Sequence, residues 1–488
     1  MAVNTFVFIH PEMTFKRTYF FFLIPSFLLI LFYSCNREFK PGDYSAYFGG
    51  EVTNPQNRYV LLYKDERLID TIALDKDNRF FKKFDSLTPG MYTFRHEPEY
   101  QYVYFEKNDS LMVAINSQDF DESIVFSGRG DEKNNFLMEI YLKNDRERDK
   151  MFNVFDYDVE AFSQNINLSY LAQNEFYEKK KADIGWSDEF DEYAKAAVDY
   201  PYYSKKEIYP VIHKVRTGTD VTAQLPEDYY AFRKNIDYNN VRLSNFSPFV
   251  KYLSNMLNNI AAEDTKNHAA DAGNLALLSN TQKLKIADTL IRNEKIRNVL
   301  LDNIAFSYLL EDQNMANNQI FLQAYHQYST DKSQRNEITR IGNAIRLLTL
   351  GNKLPAVRLI DKEGNEVLSD SLLTKQTVLF FWTEQAGTHL VEAHKKVLEL
   401  KKKYPQFDYI AINLDDNNQR WLKTLSKYKF TGISEYQTAD FEDLKNKWAI
   451  TKVHRTIVLD REGRISNAFT SLFDLNFATN LDNFKDEQ

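Results

Sequence analysis

The chain has 488 residues, with 61 Lys and Arg against 69 Asp and Glu for a net charge of -8, and no long basic run, which excludes nucleic acid as the natural partner. Aromatic residues make up 15%, enough for large packed cores and too many for a disordered chain. The length allows roughly three domains.

At the N-terminus, Lys16-Arg17 precede Tyr19–Phe32, an apolar run of about 14 residues, which is signal-peptide length and too short to span a bilayer comfortably. The run ends in Phe32-Tyr33-Ser34-Cys35, and Cys35 is the chain's single cysteine. A small residue before cysteine at this place resembles the lipobox of bacterial lipoproteins. The resemblance implies that residues 1–35 form a lipoprotein signal, that Cys35 carries lipid and becomes the mature N-terminus, and that no thiol remains downstream. An uncleaved anchor helix is the alternative; Pro25 and the short apolar length count against it. Asn36, with no acidic run after it, implies by resemblance to Gram-negative lipoproteins an outer-membrane protein facing the periplasm, anchored by its lipid. Translation can begin at Met1 or at Met13, since the first twelve residues add nothing a signal needs.

Residues 43–130 carry short alternating runs: Tyr59–Tyr63, Leu68–Ala73, Phe80–Phe84, Met91–Arg95, Tyr102–Phe105 and Leu111–Ile115. Turn signals such as Asp75-Lys76-Asp77-Asn78 and Thr88-Pro89-Gly90 separate them. This spacing predicts an antiparallel β-sandwich or barrel. Across residues 131–350 Gly and Pro become scarce and apolar residues recur at helical spacing, as at Phe136, Ile140 and Tyr141 or Leu284, Ile286, Leu290 and Ile291. A helical middle follows, with no fixed-period repeat. Its tyrosine pairs, Tyr202-Tyr203 and Tyr229-Tyr230, fit either a core or a recognition surface.

Residues 351–488 alternate strand and helix. Gln376–Trp382 is a near-continuous apolar run, as expected of a strand buried on both faces, and Leu390–Tyr404 reads as an amphipathic helix with a basic outer face. Phe407–Leu414 is a second buried strand, Arg420–Lys429 and Asp440–Trp448 are helical, and Thr456–Asp460 opens a closing strand pair. The whole is therefore multidomain, with a C-terminal α/β domain.

This last region resembles the thioredoxin fold, specifically the membrane-tethered TlpA-like thiol–disulfide reductases. The residues that carry the likeness are Leu354–Asp361 with Gly364, then Val378–Trp382, then Trp448-Ala449-Ile450 through Val458-Leu459-Asp460 with Gly463. The β-rich segment, through Gly50-Glu51-Val52, Phe126-Ser127-Gly128 and Asn134-Asn135-Phe136-Leu137, resembles the domain of unknown function that precedes thioredoxin-like domains in such lipoproteins. The family's chemistry needs two cysteines two residues apart at the start of a helix, whose N-terminus makes the first a thiolate. The resemblance puts those positions at Ala386 and His389, with Gly387 and Thr388 between, and the family's cis-proline position at His454. Neither Ala386 nor His389 can exchange disulfides, so disulfide reductase activity is not expected although the family label would be thiol–disulfide oxidoreductase.

The groove beside the lost pair normally receives an extended substrate. The expected contacts for a protein or peptide partner are therefore Trp382, Gly387, Thr388, His389, His454 and Arg455, with no cofactor and no assigned metal ligand. Two other readings stay open: a non-thiol, metal-dependent enzyme using His389 and His454, or a scaffold lipoprotein working through its helical middle. Ser127-Gly128-Arg129-Gly130 lacks the third glycine of a dinucleotide fingerprint, and Asp415-Asp416-Asn417-Asn418 lacks the distal glutamate of a calcium loop.

Overall fold

The computed structural model describes residues 45–65, 67–97, 99–265, 274–311, 314–384, 386–450, 452–474 and 476–483. The signal segment and Cys35 lie outside the described residues.

Eight strands open the chain: β1 (Ala46–Thr53), β2 (Tyr59–Lys64), β3 (Arg67–Ala73), β4 (Arg79–Phe84), β5 (Gly90–His96), β6 (Glu99–Phe105), β7 (Ser110–Asn116) and β8 (Val125–Arg129), with a short helix α1 (Phe120–Ser123) before the last. They form two four-stranded sheets, ordered β4-β1-β7-β8 and β3-β2-β5-β6. Alternating side chains of both sheets, among them Phe48, Val60, Phe94, Phe105, Val113 and Phe126, meet in one buried core. The arrangement is that of two facing sheets and not of a closed barrel.

One expectation is corrected here. The β3-β2-β5-β6 sheet is antiparallel throughout, but the other sheet is mixed, because β1 pairs with β7 in parallel, from Tyr47 opposite Ser110 to Thr53 opposite Asn116. An alternating pattern reports which face is buried and carries nothing about the direction of the neighbour. Between β1 and β7 the chain builds the whole of the other sheet and returns running the same way. Gly50 permits the close pairing, since a Cβ there would lie 2.0 Å from the Val113 carbonyl oxygen.

The helical middle comprises α2 (Asp131–Val154), α3 (Val159–Ile184), α4 (Asp188–Thr217), α5 (Ser247–Thr265), α6 (Leu275–Leu290), α7 (Glu294–Glu311), α8 (Met315–Tyr328) and α9 (Lys332–Leu347). Asp158 and Ser187 cap the starts of α3 and α4 through the amides of Ala161 and Phe190, and Gly185 and Gly218 end them in left-handed conformations. Two prolines, Pro201 and Pro210, sit inside α4. Each removes an amide and so frees the carbonyl four residues earlier. Asn144 Nδ2 donates to the Ala197 carbonyl at 3.4 Å and Tyr229 Oη to the Lys206 carbonyl at 3.3 Å, so neighbouring elements satisfy both. Of the tyrosine pairs, Tyr229 is buried and Tyr203 stacks on Phe232 at 4.5 Å between ring centres, which gives both a core role.

The first turn of α2 ties the β-domain to the helices. Asn134 accepts from the Tyr104 amide at 2.7 Å and donates to the Tyr104 carbonyl at 3.0 Å. Asn135 does the same for Phe126, at 2.9 and 2.8 Å. Tyr104 and Phe126 belong to β6 and β8, an edge strand of each sheet. Two adjacent amide side chains thus complete hydrogen bonding that a further strand would otherwise supply.

The C-terminal domain contains β9 (Arg358–Ile360), β10 (Glu366–Leu368), β11 (Thr377–Trp382), α10 (Gly387–Lys403), β12 (Asp408–Asn413), α11 (Asn418–Tyr428), β13 (Ser434–Thr438), α12 (Phe441–Trp448), β14 (Thr456–Leu459), β15 (Ile465–Thr470) and α13 (Phe477–Asn483). Its sheet runs β10-β9-β13-β12-β11-β14-β15, with β11, β12 and β13 parallel and the flanking pairs antiparallel. All six residues of β11 are buried. Val378, Phe380 and Trp382 face one core together with Leu390, Val397 and Trp421, whereas Leu379 and Phe381 face another. That second core also takes in Ile338, Ile341 and Ile345 of α9, packed against Leu444 and Trp448 of α12.

Candidate functional site

The end of β11 and the start of α10 frame the place where the family resemblance expects a redox pair. The connecting loop is tied to the β12–α11 segment. The Glu384 amide donates to Asp415 at 2.8 Å, and the Glu384 carboxylate accepts from Arg420 at 2.8 Å and from the Thr424 hydroxyl. Arg420 also donates to the carbonyl of Gln56 at 3.2 Å, so α11 touches the β-domain.

Ala386 precedes the first turn of α10, and its side chain caps nothing. Its carbonyl accepts from the Leu390 amide at 2.8 Å. A Cβ built on Gly387 would meet no atom within 4 Å, which leaves open space in front of the helix. Thr388 contributes its backbone to α10, and its side chain lies outside the described residues. His389 is half-buried; its Nε2 donates to the Phe381 carbonyl at 3.1 Å and its ring meets Phe473 edge-on at 5.9 Å. Burial pushes the His389 imidazole below its ordinary value, and the nearby His454 and His394 push the same way against hydrogen bonding to the Phe381 and Val453 backbone. The structure thus brings His389 and His454 together, with His454 exposed on the turn before β14. Among the described residues no group of three or more His, Cys, Asp or Glu side chains is arranged to hold a metal ion.

Two of the expected contact residues are not at the surface. Trp382 is fully buried and donates its indole N–H to Glu435 Oε2 at 3.2 Å. The alternation of β11 places it under α10 beside Val378 and Phe380. Arg455 is 7% exposed; its Nε donates to the Ala468 carbonyl at 2.7 Å, a terminal nitrogen reaches the Ala449 carbonyl, and the guanidinium lies 4.0 Å from the Phe469 ring centre. Burial without a carboxylate partner lowers its pKa to about 9. Both residues support the site from within: β11 turns Trp382 into the core under α10, and Arg455, just before β14, is held by the Ala468 and Ala449 carbonyls against Phe469. The face open to solvent is made by Gly387, His389 and His454.

Sequence reasoning assigns no role to three members of this region, since the run His389–His394 has the wrong spacing for a zinc-binding helix. Phe473, 47% exposed, extends the open face beside His389. Beneath it, Glu435 and His394 form a buried pair, with Nε2 3.0 Å from Oε1 and side chains 0% and 1% exposed respectively. His394 Nδ1 also lies 2.6 Å from the Leu390 carbonyl, and the ring stacks on Phe430 at 3.7 Å between centres. With oxygen acceptors at both ring nitrogens, a proton lies between Nε2 and the Glu435 carboxyl group. The signal available was His394's place on the apolar stripe of Leu390, Ala393 and Val397.

Residues 374–465 match the family model described as thioredoxin-like. Among solved structures, the C-terminal region is similar to the thioredoxin domain of a thiol-disulfide oxidoreductase from Bacteroides vulgatus, at 19% identity over 28% of this chain and 98% of that one, with a TM-score of 0.25. It is similar as well to a thiol:disulfide interchange protein from a Bacteroides species, at 21% identity over 28% of this chain and 88% of that one, with a TM-score of 0.23. A search of curated proteins finds no match.

Proposed function

With residues 374–465 thioredoxin-like and the chain's one cysteine at position 35, we propose that this protein is a lipid-anchored envelope protein whose thioredoxin-like domain binds a protein or peptide segment without exchanging disulfides. The observation that carries the reading is the open face at the head of α10. There Gly387 fronts empty space, and half-buried His389, exposed Phe473 and exposed His454 offer apolar surface with polar edges. A binding surface needs no thiolate, so it can outlast the loss of the redox pair. The lipobox-like Phe32-Tyr33-Ser34-Cys35 supports the anchor and, with Asn36, the periplasmic face of the outer membrane. The non-thiol enzyme reading has only two imidazoles behind it, one of them at the surface.

The test is a pull-down from detergent-solubilised envelopes with the full chain, its Gly387→Trp variant and its His454→Ala/Phe473→Ala variant. The indole at 387 enters open space and should leave the fold intact while blocking the face. Partners lost in both variants are the expected result. Partners retained in both would overturn the proposal and move the function to the helical middle or the β-domain.

A further inference from the structure

Away from the thioredoxin-like domain, a cleft of about 700 Å³ lies between β6, α2, α4 and α5. Protein interiors hold few voids larger than a water molecule, and a space of this size is that of a small-molecule site. The cleft exists because three cores meet here without merging: Leu137 and Phe246 belong to one, Met138 to the second, and Met151 and Phe155 to the third. Pro201, which breaks the ladder of α4, stands in its wall. So does Ser204, 7% exposed, whose hydroxyl has no hydrogen-bond partner among the described residues. A buried hydroxyl left unpaired is costly, and a ligand group placed against it restores the missing bond.

The charges of the lining are uneven. Arg148 is held by Asp145 at 2.6 Å, Arg216 by Asp156 at 2.6 Å, and Lys205 by Glu147. Glu99 and Asp121, by contrast, have no cation partner among the described residues. Asp121 accepts from Tyr141 Oη at 2.7 Å and from Gln101 Nε2 at 3.3 Å. Burial raises the Glu99 pKa, and Asp121 raises it further. Tyr100 and Tyr141, 50% and 39% exposed, stand beside them. Carboxylates without a counter-ion among tyrosine rings attract an ammonium group. Lys251 is the opposing group in the lining, a cation with no carboxylate partner among the described residues.

We propose that this cleft binds a small amphiphilic amine, its apolar body among Ile140, Met151, Phe155 and Phe246 and its ammonium group against Glu99 and Asp121. The experiment is titration calorimetry on the full chain in lipid nanodiscs, with empty nanodiscs as the blank and three probes of one shape: phenylbutylamine, phenylbutyrate and phenylbutanol. The amine should bind about tenfold tighter than the acid, and Glu99→Gln/Asp121→Asn should remove that preference while leaving the alcohol unchanged. Ser204→Leu, which fills the wall, should weaken all three. The proposal is overturned if the acid binds as tightly as the amine, as Lys251 would favour. It is equally overturned if the Glu99/Asp121 variant, folded by circular dichroism, keeps the preference, or if no probe binds.

Discussion

Replacing Glu435 by leucine removes the one partner, among the described residues, of two buried groups, the Trp382 indole N–H at 3.2 Å and His394 Nε2 at 3.0 Å. Hydrogen bonds to a charged group contribute about 1.5–3 kcal/mol each, and breaking a buried pair from one side costs about 3–5 kcal/mol. The fully buried side chains put this pair at the upper end of exposure to that penalty, so Glu435→Leu should destabilise the domain by about 3–5 kcal/mol. His394→Leu leaves the carboxyl group buried with only the indole and should cost about the same. The double variant leaves one orphan, the indole N–H, worth about 1–3 kcal/mol. The two singles therefore sum to far more than the double, and the cycle should return a coupling of at least about 3 kcal/mol. Urea unfolding followed by tryptophan fluorescence is the assay, because Trp382, Trp421 and Trp448 of the chain's 4 tryptophans lie in this domain. Singles that each cost under about 1 kcal/mol, or a double that costs their sum, would refute the reasoning.

The native chain should not reduce insulin disulfides, and Ala386→Cys/His389→Cys should, with the thiol at 386 alkylating well below the ordinary thiol range because it sits at the N-terminus of α10; two free thiols without activity would show that more than the redox pair has been lost. His389 is held below its ordinary value of 6.5 in the folded state, so the unfolded chain takes up the proton first, and the group's stabilising contribution is present above pH 6.5 and lost as pH falls through the lower folded value. His389→Asn should accordingly flatten the acid limb of the stability profile relative to the native chain, and an unchanged limb would count against the assignment. Gly130→Ala sets a side chain at φ 94°, with its Cβ 2.6 Å from the Asp109 carboxylate, and should cost at least about 2 kcal/mol by thermal unfolding. Asn134→Ala should cost about 1–3 kcal/mol, since it strands the Tyr104 amide and carbonyl at a strand edge.

Element types were legible from period alone. The alternation in Met91–Arg95 and the near-continuous apolar run Gln376–Trp382 became β5 and β11 with little change of boundary. Strand direction was not legible, as the parallel β1–β7 pair demonstrates, because partner orientation depends on the path between strands and not on either strand's own residues. Within the site, nearness along the chain to Ala386 suggested that Trp382 faces a partner. The same two-residue period that identifies β11 sets Trp382 on the side of Val378 and Phe380, so this error was avoidable. The Glu435–His394 pair spans 41 positions and is created only when β13 is laid next to β12, beyond the reach of any local pattern. The cleft beside α4 depends on four separate elements and is likewise a product of assembly.

The parallel pairing of β1 has a mechanical consequence. β1 lies between β4 and β7, and among the described residues it is the first element after the segment that the proposed anchor would hold. Tension along the chain ahead of Ser45 draws β1 backwards along its own axis, while β7, running the same way, passes the opposing pull onward into the rest of the protein. The bonds from Tyr47–Ser110 to Thr53–Asn116 are then loaded in shear, all together, and none can be peeled open before its neighbours. Under such a load, lifetime is governed by the rate of unfolding rather than by the equilibrium stability. A strand tethered at that end is thus placed to resist being dragged out, whatever moves at the far end.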